Sequence, residues 1–150
     1  MSVFRNPWVV RLARLATGVV FVAAAFGKIA DPGAFAQQIH NYRMFPASLE
    51  NLIALTLPWI ELLAGAALVI GVKPRAGAVI AFVLMIAFTL AVGVAWGRGI
   101  NIECGCFGTL GGARIGALKF AENVVLMIVA MLAVGRLNAR TTAAPPANAA

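Results

Sequence analysis

Four long stretches of the chain are apolar at almost every position, without the alternation that would leave one face wet. A helix needs about 20 mostly apolar residues to cross a bilayer. One that is apolar all round belongs in lipid or in the centre of a large protein. Ala76 to Gly97 is the clearest stretch, with no charged residue, and Asn51 to Val72 is interrupted once, by Glu61. Ile115 to Leu137 is polar near its start (Lys119, Glu122, Asn123) and apolar from Val124 to Gly135. Trp8 to Ala30 has an uncharged core only from Leu15 to Gly27, so it spans if Arg11 and Arg14 reach one surface and Lys28 the other. The pattern predicts an all-α membrane protein, a bundle of four transmembrane helices over 8–30, 51–72, 76–97 and 115–137, within a membrane domain of residues 1–140. The basic start and Ala-rich core of the first stretch also fit a signal peptide, but no polar segment follows Ala23-Ala24-Ala25, which favours a retained span.

The connections differ in length. Between the first two spans, Asp31-Pro32-Gly33 is a turn signal, and the spacing of Phe35, Ile39, Tyr42, Met44 and Phe45 predicts a short interfacial helix closed by Pro46. Arg98 to Arg114 is rich in glycine, and residues 141–150 form a low-complexity segment expected to be a disordered tail.

Composition agrees with the membrane reading. Of 150 residues, 62% are hydrophobic and only 11% charged, against about 25% charged in soluble domains. Mean hydropathy is +0.93. The net charge of +7 does not indicate nucleic acid, because the twelve basic residues form no patch. Arg5, Arg11 and Arg14, then Lys73 and Arg75, then Arg136 and Arg140 are uncompensated by acids and fall on one side of a four-span topology. The excess of Lys and Arg on cytoplasmic loops predicts that both termini are cytoplasmic and that the two longer connections face outward.

The outward-facing connection from Arg98 holds both cysteines of the chain, in Asn101-Ile102-Glu103-Cys104-Gly105-Cys106-Phe107-Gly108. Disulfides persist outside the cytoplasm. A bridge over a single intervening residue is strained, and strained, exposed disulfides are the labile, catalytic ones. A structural bridge closes a longer loop. Cys104 and Cys106 therefore read as a redox-active pair. Two other readings stay open: a soft copper(I) site completed by Met44 or His40, and a tight turn of small residues.

Glu61 lies mid-span, where a carboxylate costs about 2.5 kcal/mol or more unless it is paired or protonated. It reads as a proton relay or ligand acceptor in a span that Pro58 kinks, or as one half of an ion pair with Lys28 or Arg98. Trp59 beside it would line a ligand cleft or pack in the core. Lys119 and Glu122 read as a structural pair near the surface, His40 as a surface histidine, and Gly93 with Gly97 as a close-packing motif.

Taken together, Lys28 with Asp31-Pro32, the segment Tyr42 to Pro46, Leu57-Pro58-Trp59-Ile60-Glu61 with Gly65, Arg98-Gly99 and Cys104-Gly105-Cys106-Phe107-Gly108 resemble the MauE branch of the DoxX-like membrane proteins, over about residues 10–135. The resemblance implies a four-helix bundle in the bacterial inner membrane, thioredoxin-like partners, and a part in forming disulfides in exported proteins. It carries a role over to Cys104 and Cys106. Lys28, Glu61 and Arg98 match as positions without an assigned role. DoxX-like relatives also serve as accessory subunits of larger membrane complexes, which is the non-catalytic alternative.

No Cys-x-x-Cys-His haem attachment and no second dithiol are present to take electrons onward. A single pair can exchange disulfides with a soluble partner outside and pass electrons to a membrane quinone. Lys28, Arg98 and Trp59 are the candidates to support such a cofactor.

Overall fold

The computed structural model describes residues 7–100 and 116–142; the Cys104–Cys106 segment and residues 143–150 of the expected tail lie outside the described residues. Among the described residues there are five helices and no strand: α1 (Pro7–Ala30), α2 (Pro32–Asn41), α3 (Ala47–Ile70), α4 (Pro74–Gly97) and α5 (Ala117–Thr142). Four of them are long and apolar enough to cross a membrane. The protein is an all-α, multi-pass membrane protein, and α2 is the short helix between the first two spans.

Boundaries shift from the expected ones for local reasons. Asp31 is not a free turn residue but the N-cap of α2, its Oδ1 accepting from the Ala34 N–H at 2.9 Å. Pro32 sits in the first turn, where its missing N–H costs nothing. The helix stops at Asn41, short of the predicted Phe45, because Arg43 turns into the left-handed region at φ 50°. Pro46 then caps α3, which starts four residues before the expected Asn51 and runs through Pro58. Gly71, at φ 85°, ends α3 by donating to the Ala67 carbonyl, and three residues suffice to reach α4. Helix α5 continues to Thr142, past the expected end at Leu137.

The bundle packs α1 mainly on α3 and α4 mainly on α5, with α2 laid on α3. Its centre joins Phe21, Leu68, Ala78, Ala81, Met85, Ala130 and Ala133. Small residues dominate because lipid is as apolar as the helix faces, so association rests on close packing. The outer surface is equally apolar, with Val19, Leu55, Leu63, Ile70, Val83, Leu90 and Leu118 all exposed. The hydroxyls of Thr17, Thr56 and Thr89 bond to carbonyls one turn back in their own helices, so none enters the apolar region unsatisfied.

The tightest approach is between α1 and α3, at Gly18 and Gly65. A Cβ on Gly65 would stand 2.9 Å from the Gly18 carbonyl oxygen. The predicted close-packing pair is only half right: a Cβ on Gly93 would meet Phe120 at 3.1 Å, whereas one on Gly97 would meet nothing within 4 Å.

A test follows from this contrast. Gly65→Ala is expected to destabilise the bundle by about 1–3 kcal/mol, the usual cost of overpacking, while Gly97→Ala leaves it unchanged. Thermal unfolding in detergent compares the two, and equal behaviour would contradict the packing.

Candidate functional site

Where Gly18 abuts Gly65, the antiparallel helices α1 and α3 are brought into register. Counting outward from that contact, Lys28 stands roughly one to two turns further out than Glu61. Helical side chains lean toward their own N-terminus. Lys28 therefore leans back into the bundle from α1, and Glu61 leans outward from α3, so the two converge. Lys28 Nζ donates to Glu61 Oε1 at 2.5 Å, with both side chains at most 1% exposed.

The ammonium has further company. It stands 5.1 Å from the ring centroid of Phe35 on α2 and 4.8 Å from that of Phe88 on α4, close enough for cation–π attraction. One cation thus holds α1, α2, α3 and α4 together. Glu61 Oε2 makes no hydrogen bond among the described residues. It borders a cavity of about 10 Å³ shared with Asn123 and Phe88, at the lower limit for one water, about 10–15 Å³.

On the other side of Phe35 and Phe88 lies a much larger pocket of about 300 Å³ between α2, α3 and α4, almost wholly apolar, with Gln38, Tyr42, Phe45, Ile53 and Leu57 in its wall. Phe88 is common to both cavities. Phe35 and Phe88, which flank the lysine, are thus also part of the wall of the apolar pocket.

The same end of the bundle carries a second polar contact. His40 Nδ1 lies 3.0 Å from Glu50 Oε2, tying the end of α2 to the start of α3. His40 is a surface residue, as expected, with its side chain 62% exposed. Ile100, the last described residue before the cysteine segment, shares a cleft with Gln37, His40, Asn41 and Arg43. Tyr42 packs on Val92 and Ala95 of α4. The last described residue before the cysteines thus lies beside α2.

The other expected site residues fall as follows. Arg98 caps the end of α4 and is exposed, so it is Lys28 that partners Glu61. Trp59 is 56% exposed on the outside of α3, not in the core packing expected of it, and it is not in the wall of the large pocket. Lys119 and Glu122 pair at 2.7 Å near the start of α5. Among the described residues, no three His, Cys, Asp or Glu side chains converge as a metal site would require. The cysteines, and the copper reading with them, lie outside the described residues.

The sequence reading missed Phe35 and Phe88 as neighbours of the lysine, and Gln38 as a polar member of the apolar pocket. Gln38 had a signal: it interrupts the apolar stripe of α2 between Phe35 and Ile39.

These features define a class, the small multi-span helical membrane proteins with a lysine–glutamate pair buried between the spans. Within it, the chain belongs to the MauE family: the family model described as methylamine utilisation protein MauE matches residues 6–136. The chain is 32% identical over 128 residues to the methylamine utilization protein MauE of Paracoccus denitrificans, covering 84% of this chain and 68% of that one. It is 34% identical over 106 residues to the MauE of Methylophilus methylotrophus, covering 70% and 56%. It is 29% identical over 131 residues to the MauE of Methylorubrum extorquens, covering 87% and 70%. The chain therefore spans between 56% and 70% of the lengths of these relatives. No solved structure matches it.

The ion pair makes a quantitative prediction. Lys28→Met leaves a carboxylate buried alone, and Glu61→Met leaves an ammonium; each should cost about 3–5 kcal/mol. The double variant, Lys28→Met with Glu61→Met, should recover most of that loss. Amounts of folded protein in membranes and thermal unfolding in detergent report it. Additive losses in the double variant would show that the two groups are not coupled.

Proposed function

We propose that this protein is a membrane thiol–disulfide oxidoreductase, which exchanges disulfides through Cys104 and Cys106 with a thioredoxin-like partner on the extracytoplasmic side. The relatives are named for methylamine utilisation, and the proposed exchange would serve the maturation of exported proteins of such an oxidative system. The observation that supports the reading is the position of Ile100, the last described residue before the Cys-Gly-Cys segment, beside α2 at the end that holds the buried ion pair and the apolar pocket.

Orientation belongs to the same proposal. Both termini are taken as cytoplasmic, with α2 and the cysteine segment outside. In support, Arg14 of α1 lies against Gly71 in the turn that also carries Lys73 and Arg75, so basic residues gather at the opposite end.

The chemistry balances in two steps. A reduced partner gives two thiols to the Cys104–Cys106 disulfide; the partner leaves oxidised and the pair becomes a dithiol. The dithiol then returns to the disulfide by giving two electrons and two protons to a membrane quinone, which becomes a quinol. Glu61 is proposed to relay protons, an assignment supported by its unbonded Oε2 on the small cavity beside Phe88. The second reading, an accessory subunit of a larger membrane redox complex, is favoured by the wide apolar outer surface. That surface serves neighbouring helices as well as lipid.

Disulfide exchange passes through a mixed disulfide that the second thiol resolves. The Glu103 carboxylate opposes thiolate formation at Cys104, so Cys106 is the better leaving group and the partner attacks Cys104. The Cys106→Ser variant should accumulate a covalent adduct through Cys104, and both single serine variants should lose substrate oxidation. Non-reducing gels test the adduct, and labelling of reduced intact or outer-membrane-permeabilised cells with a membrane-impermeant thiol reagent tests the orientation. Full activity in either serine variant, or labelling only after inner-membrane lysis, would contradict it.

Glu61 is tested separately. The Lys28→Met, Glu61→Met double variant, recovered in amount, is expected to stay inactive if Glu61 relays protons. Recovery of activity with abundance would make the pair purely structural.

A further inference from the structure

The pocket between α2, α3 and α4 has no part in disulfide exchange at the thiols, and its construction is specific. Its volume is about 300 Å³, within the ordinary range of small-molecule sites of about 300–1,000 Å³. Its wall includes the rings of Phe35, Tyr42, Phe45 and Phe88, which offer flat apolar faces. One side chain breaks the pattern. Gln38 lines the pocket, and its Oε1 is buried with no hydrogen-bond partner among the described residues. An unpaired buried amide oxygen is costly, so a group that donates to it is favoured there.

An acyl chain fits the apolar wall but leaves this amide unsatisfied. A quinol ring, with hydroxyls para to one another, satisfies its unpaired oxygen. A quinol hydroxyl donates to the amide oxygen, and a quinone carbonyl accepts from the amide NH₂, since glutamine presents both. A ring also stacks on aromatic walls where a flexible chain does not. Ala87, exposed on the lining of α4, leaves a lateral way out toward the bilayer for an apolar tail.

From these observations we infer that the α2–α3–α4 pocket is a binding site for the ring of a lipid-borne quinone, with Gln38 as its hydrogen-bonding residue. The choice of a redox ligand rests on the proposed exchange; the pocket and its unpaired amide do not. Phe35 and Phe88 then lie between the ring and the Lys28 ammonium, so the ligand sits one aromatic layer from the only ion pair that spans α1 and α3 among the described residues.

The test uses the full-length protein in detergent and a photoreactive azidoquinone with a decyl tail, with labelled peptides located by mass spectrometry. Label is expected on residues 35–45 and 84–91. Decylubiquinone should displace it, and a phospholipid with chains of equal length should not. Gln38→Leu, which keeps size and removes the amide, should weaken binding about tenfold or more. Ala91→Phe, which narrows the pocket from α4, should do the same; circular dichroism confirms that each variant is folded. The double variant Cys104→Ser, Cys106→Ser should keep full labelling. Equal displacement by phospholipid would make the pocket an acyl-chain groove and overturn the inference, as would unchanged binding in Gln38→Leu. Normal disulfide exchange with label scattered over the lipid-facing helices would overturn the site while leaving the exchange standing.

Discussion

An ammonium and a carboxylate placed singly in hydrocarbon each cost about 2.5–3.5 kcal/mol on insertion scales. Lys28 and Glu61 are tolerable there only as a pair, and the pair forms only if α1 and α3 are held in one register. That requirement runs through the rest of the architecture. Gly18 and Gly65 set the register by backbone contact. The opposite tilts of side chains on antiparallel helices bring the two groups to one level. The first turns of α3 then project past the end of α1, and Phe35, Ile39, Ala54 and Leu57 join α2 to α3. Helix α2 therefore covers one side of the ion pair through Phe35, and His40 with Glu50 fastens its far end.

Because two phenyl rings that line the pocket also flank the lysine, its surroundings are apolar on the side where the pocket opens. This links structure to the proposed function. A pocket lined by aromatic rings, with a single amide in its wall, sits one ring away from the buried charges. Ile100, the last described residue before the cysteines, lies at the same end of the bundle. In the proposed exchange, electrons would pass from the thiols to a ligand in this pocket, and the mid-span Glu61 would handle the protons.

Much of this was legible in the sequence. Lengths and apolarity of the spans were visible because a bilayer imposes them residue by residue. Glu61 stood out because a mid-span carboxylate is so costly, and Lys28 was named among its two potential partners. The choice between Lys28 and Arg98 was not legible, since it depends on the Gly18–Gly65 register, a contact between residues 47 positions apart (65 − 18). Trp59 was misjudged for a related reason. In a chain apolar on every face, nothing local says which side of α3 meets lipid, and Trp59, two residues before the buried Glu61, lies about 200° round the helix from it. The pocket had the faintest trace, one glutamine inside an apolar stripe, because a cavity is made by three helices at once.

The central claim is that the outward thiols reduce a quinone held in this bundle. The most direct measurement is quinol formation by the purified protein in lipid nanodiscs containing decylubiquinone, with dithiothreitol as the dithiol donor. The double variant Cys104→Ser, Cys106→Ser gives the uncatalysed rate. The account predicts that the native chain forms quinol well above that rate, one quinol for each dithiol oxidised. Equal rates for the native chain and the double serine variant would contradict it.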